Sequence, residues 1–172
     1  MDLGVPSHPL RPLLHEIQAA ITNGLPYLAM MQALAVPDIC GALMASDGRA
    51  TRSAYLAWYG EYMWGNFILL SPEQCYSLRC GFVHQSRSDL AGGHFKRIAF
   101  HCHFWGAMDS MPMVDMGDTL YISVEQFCAH LNNAAHRWFA TVAFDPTVLE
   151  NAQSLLKPKR SLNAMMGSFV LS

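Results

Sequence analysis

Apolar residues recur at three- and four-residue intervals through most of the first 88 positions, then switch to alternation near residue 95. Leu13, Leu14, Ile17, Ala20 and Ile21 make one helical stripe, which Asn23-Gly24 stops. Pro6, Pro9 and Pro12 make residues 1–12 an extended lead-in. A second helix is predicted from Pro26, a good first-turn residue, through Tyr27, Leu28, Met31, Leu34 and Ala35 to Val36. Pro37-Asp38 then predicts a turn, with a short helix over 39–45 and turn chemistry at Ser46-Asp47-Gly48. Thr51 caps a third helix whose Tyr55, Trp58, Tyr59 and Tyr62 form an aromatic stripe that reads as core. Ser71-Pro72-Glu73-Gln74 writes a capping box with proline in the first turn. The helix it opens carries Cys75, Leu78, Phe82 and Gln85 on one stripe and ends near residues 86–88, before Gly92-Gly93.

Residues 95–104 (FKRIAFHCHF) and 118–124 (DTLYISV) alternate and are rich in strand formers. They are predicted to pair as an antiparallel hairpin around a methionine- and glycine-rich loop over 106–117. Ser123 and Gln126 make a second capping box, opening a helix over about 124–144 with Phe127, Leu131, Ala134, Ala135 and Trp138 inward. Asp145-Pro146 ends or interrupts it, and residues 145–172 form a tail without assigned elements. The predicted fold is mainly α: one domain over 1–172, with a helical core at about 13–88 arranged as an up-down bundle. A β-hairpin at about 95–124 is inserted in it or appended to it.

Composition sharpens this reading. Of 172 residues 52% are hydrophobic and only 14% charged, against an ordinary charged share of about 25%. That excludes a disordered chain, a highly charged coiled coil and a polybasic arm. So apolar a surface predicts an interface, hence a homodimer. Net charge is −2, so any contact with nucleic acid must be a local site. Five widely spaced cysteines predict reduced thiols and a cytoplasmic setting, and no signal peptide is visible at the N-terminus. Residues 25–45 carry a single charge, Asp38, but Pro37-Asp38 sits where a spanning helix would suffer most, so a buried core helix is expected rather than a membrane span.

The capped fourth helix contains Arg79-Cys80-Gly81-Phe82-Val83-His84, an arginine followed by four residues and a histidine. With its flanking Tyr76-Ser77-Leu78 and Gln85, this segment resembles the signature of the HEPN superfamily, small helical bundles many of which are metal-independent ribonucleases. The resemblance spans about residues 13–88. It implies a symmetric dimer whose two Arg/His pairs form one cleft, and an endoribonuclease of toxin or phage-defence type, with RNA as substrate, a possible antitoxin partner and no cofactor. It also implies Arg79 and His84 as catalytic residues; Gln85 and Cys80 are candidate substrate contacts. The alternative is a non-catalytic oligomerisation or partner-binding module of the same fold. The residue types suit the chemistry. Histidine moves protons near neutrality, and arginine offers a fixed fork to a charge-rich phosphorane. A spacing of five places the two side chains about 140° apart on a helix, so a facing partner helix is expected to complete the site.

Other candidates carry less. His101 and His103 share a strand face, and with His94 could contribute to a zinc site, but no second paired cluster completes a tetrahedral set. Arg97 and His103 repeat the arginine–histidine pairing at a different spacing. Cys80 lies one turn from His84, yet no orienting residue can be named for a cysteine nucleophile, so Cys75 and Cys80 read as space-filling. Asp38, Asp47, Glu61 and Glu73 read as isolated carboxylates. Lys157, Lys159 and Arg160 form a short basic cluster that could supplement RNA backbone contacts.

Overall fold

The computed structural model describes residues 6–66, 69–85, 87–88, 94–102, 113–155, 158–160 and 169–171. Its helices are α1 (Arg11–Thr22), α2 (Pro26–Met44), α3 (Arg52–Tyr62), α4 (Pro72–Gln85), α5 (Val124–Val142) and α6 (Pro146–Asn151). Strands are β1 (Arg97–His101), β2 (Met113–Met116), β3 (Thr119–Ser123), β4 (Pro158–Arg160) and β5 (Phe169–Leu171). The chain is mainly helical with a small sheet, as its periodicity predicts.

Local signals set most helix starts. Thr51 Oγ1 accepts the Ala54 N–H at 3.2 Å. Ser71 and Gln74 form the reciprocal box, with Gln74 N–H donating to Ser71 Oγ at 3.2 Å and Ser71 N–H to Gln74 Oε1 at 3.0 Å. Ser123 is both the last residue of β3 and the cap of α5, accepting the Gln126 N–H at 3.3 Å. Asp145 caps α6 by accepting from Thr147 and Val148. Gly24, at φ 68°, takes the left-handed turn that ends α1. That helix starts at Arg11, earlier than expected, because Pro12 fits its first turn.

The second helix departs from expectation. There is no turn at Pro37-Asp38; α2 runs unbroken from Pro26 to Met44. An internal proline costs about 3 kcal/mol, and here burial outweighs it. α2 is the central helix, packed on by α1, α3, α4, α5 and α6, with Ala29, Met30, Ala33, Leu34, Val36 and Cys40 fully buried. It is also the one described helix long and apolar enough to cross a membrane; enclosure by its neighbours accounts for that apolarity. Gly41 brings α3 close, since a Cβ there would stand 2.9 Å from Ala54 Cβ. At its carboxyl end, Asn151 Nδ2 reaches the carbonyls of Ala42 (3.4 Å), Leu43 (3.0 Å) and Ala45 (2.8 Å), those of Ala42 and Ala45 also accepting the Ala45 and Gly48 N–H groups.

The sheet corrects the predicted hairpin. The two alternating segments are neighbours, but β1 and β3 run parallel, Arg97 opposite Thr119 through His101 opposite Ser123. The antiparallel hairpin joins β2 to β3, Met113 opposite Ile122, so part of the predicted loop is strand. Its two-residue turn is Gly117-Asp118, with Gly117 at φ 76° and its N–H held by Asp115 Oδ1 at 3.0 Å. An aromatic chain ties sheet to bundle: Tyr27 to Phe82 at 4.7 Å and Phe82 to Phe100 at 5.3 Å. Phe82 lies near the end of α4, so the sheet adjoins the end that carries the motif. β4 and β5 form a separate antiparallel pair within the tail.

The lead-in is anchored at His8. Its Nδ1 accepts the Leu10 N–H at 3.1 Å, which leaves the proton on Nε2 to donate to the Ala135 carbonyl at 3.2 Å. The ring packs on Phe139 (4.5 Å) and edge-on to His136 (4.9 Å). Burial lowers the pKa of His8, more than its hydrogen bond to Ala135 restores it, and His136 and Arg11 push the same way as burial.

Candidate functional site

α4 exists where it does because its capped start and its Cys75, Leu78 and Phe82 stripe bury it against α2 and α3. That leaves Arg79 and Cys80 half-buried at its flank and His84 and Gln85 exposed at its end. Gln85 thus departs from the buried stripe assigned to it.

The two motif residues meet. Arg79 Nη1 lies 3.3 Å from His84 Nε2, although their Cβ atoms project in different directions around the helix. The reach of the arginine stem closes the gap that the helical wheel predicts. A guanidinium has only donors, so this contact requires an unprotonated Nε2 and places the ring proton on Nδ1. Nη1 also stands 3.9 Å from Cys80 Sγ.

A third member comes from α2. Asp38 is not isolated: its Oδ2 lies 2.6 Å from Arg79 Nε. A carboxylate in an otherwise apolar central helix must find a cation, and α4 supplies it. Its one sequence signal is that it is the lone charge in that helix. Burial raises the Asp38 pKa above the ordinary carboxylate value, while Arg79 and then His84 pull it back. Burial works against the Arg79 charge, but the Asp38 carboxylate and Cys80 overcome it and hold the guanidinium above its usual value. Tyr76 lies one turn before Cys80, and the Arg52 guanidinium carbon is 5.7 Å from the centroid of its ring. Asp38, Tyr76 and Arg52 complete a cluster that motif spacing leaves out.

Cys75 is fully buried behind the site, its Sγ 3.3 Å from Tyr55 Oη. Burial pushes its thiol up to about 12, against the hydrogen bond with Tyr55. It stays protonated and fills space, as expected of it. On the sheet, His94 pairs with Asp115 at 3.4 Å and Arg97 with Asp118 at 3.8 Å. His101 Nε2 is buried with no hydrogen-bond partner among the described residues. His103 and Lys157 lie outside the described residues, and only the backbone of Lys159 and Arg160 is described. Among the described residues, no three histidine, cysteine or acidic side chains come together in metal-binding range.

Comparison with known protein families, characterised proteins and solved structures yields no match to the chain. The class that fold and cluster define is therefore a helical bundle, with a small mixed sheet, bearing an Asp38–Arg79–His84 cluster on its central and fourth helices.

Proposed function

We propose that the chain is a HEPN-like, metal-independent endoribonuclease of toxin or phage-defence type. It acts in the cytoplasm as a homodimer. The observation that carries this reading is the approach of Arg79 to His84 at 3.3 Å, with the imidazole exposed. It puts a phosphate-binding fork beside a proton-transfer group, the two functions that RNA cleavage without metal requires. The 2′-hydroxyl attacks the adjacent phosphorus and gives up its proton, and the bond to the 5′ oxygen breaks as that oxygen is protonated. Two His84 rings across a two-fold axis serve as base and acid, and the guanidinium offsets charge on the phosphorane. The products are a 2′,3′-cyclic phosphate and a 5′-hydroxyl. Gln85 and Cys80 contact the RNA beside the scissile phosphate.

The test is incubation of the full chain with mixed RNA in EDTA. Native protein is expected to cleave, and His84→Ala to lose cleavage while remaining dimeric. Cleavage by His84→Ala at the native rate would overturn the assignment. A second reading, the non-catalytic partner-binding module, is favoured by the pairing of Arg79 with Asp38 inside one protomer. Absence of cleavage by a folded, dimeric native chain would select it.

A further inference from the structure

Which edge of a guanidinium meets an anion decides what the anion touches next. In Arg79, Nε faces Asp38 Oδ2 at 2.6 Å and Nη1 lies beside His84 Nε2 at 3.3 Å. The edge left for an incoming oxyanion is therefore the end formed by Nη1 and Nη2, with His84 next to it. We propose that Asp38 is the positioning residue of this site: its carboxylate holds Arg79 from the Nε side, so that a phosphodiester taken at the Nη end lies against the His84 imidazole. The inference rests on the ribonuclease reading and adds to it the residue that directs the fork.

Asp38 is the one charged side chain of α2 and is buried, where it contributes little to apolar packing. Asp38 Oδ2 and Arg79 Nε stand 2.6 Å apart, a charge-assisted contact that fixes the Nε side of the guanidinium. The pair holds the guanidinium at the place where an exposed histidine meets it.

The carboxylate has two opposed effects on an RNA ligand. It orients the fork, which favours chemistry, and it cancels the Arg79 charge, which weakens phosphate attraction. Removing the charge therefore slows turnover yet tightens binding. A residue with only a packing role would weaken both.

The experiment compares the native full chain with Asp38→Asn. RNA cleavage in EDTA gives kcat, and fluorescence anisotropy gives Kd for an oligonucleotide whose 2′-deoxy sugars block cleavage. For Asp38→Asn the expected result is a kcat lower by about 10-fold to 100-fold, the share of a charge-assisted contact, with a several-fold lower Kd. An unchanged kcat, or weakening of kcat and binding together, would overturn the proposal. If Asp38→Asn does not fold, Asp38→Glu carries the test: the charge and thus Kd are kept, while kcat falls because the carboxylate is displaced by one methylene. A kcat equal to native in that variant counts against it. If the native chain cleaves no RNA, the ribonuclease reading fails on its own. The hold on Arg79 is then read from phenylglyoxal labelling of that residue, followed by mass spectrometry. Faster labelling in Asp38→Asn supports the positioning role, and an equal rate refutes it.

Discussion

Replacing Arg79 by methionine keeps an unbranched apolar stem and removes the guanidinium with its charge, stranding the Asp38 carboxylate. Breaking a fully buried ion pair from one side costs about 3–5 kcal/mol. Here the Arg79 and Asp38 side chains keep 23% and 12% of their exposure, so solvent screens the stranded charge and the loss is about 2 kcal/mol. For a chain of this length that lowers Tm by about 4–8 °C. The loss depends on pH with a definite sign. Burial already raises the Asp38 pKa above its ordinary 3.8, and without Arg79 that push meets less opposition. A group with a raised folded-state pKa contributes stability below its unfolded value and loses it as pH rises through the folded value. Thermal melts followed by circular dichroism should therefore show the widest gap between Arg79→Met and native near neutrality, closing toward about pH 4. The double variant Asp38→Asn/Arg79→Met should recover most of the gap at pH 7. A gap that stays constant across this range, or a double variant no more stable than the single one, would refute the account of Asp38 as a buried charge held by Arg79.

Two further outcomes follow from packing and titration. Gly41→Ala places its Cβ 2.9 Å from Ala54 Cβ; it should destabilise by about 1–3 kcal/mol through separation of α2 and α3, measured by urea denaturation. His8, whose pKa is lowered below the ordinary 6.5, stabilises the fold above that value and loses this contribution as pH falls through its folded value. His8→Phe should flatten the melting profile between about pH 7 and 5; an equally steep profile in the variant would assign the slope to other groups.

What was legible in the sequence is what neighbours in the chain decide. The Ser71/Gln74 box, the Thr51 and Ser123 caps, and the inward faces of α3 and α5 each depend on residues within a few positions of one another, and each forms as read. Three features depend on distant partners and were not legible. Pro37 signals a break on its own, and only enclosure of α2 on many sides keeps the helix whole. Alternation in β1 and β3 identifies strands but carries no sign of their relative direction, and Met113–Met116 takes the antiparallel place beside β3. At the site, the five-residue spacing marks Arg79 and His84, yet a helical wheel ignores the length of an arginine and so does not show their contact. Asp38 lies far from the motif in sequence, and its only advertisement is a charge in an apolar helix.

The amide of Asn151 that closes the carboxyl end of α2 has a bearing on biosynthesis. The central helix emerges from the ribosome more than a hundred residues before the side chain that seals it. Until α6 follows, Asn151 is not there to seal that end, and a nascent chain halted before α6 lacks one face of the packing around its most apolar helix. Closure of that end thus waits on α6, which follows α1, α3, α4 and α5, the other helices packed on α2, along the chain.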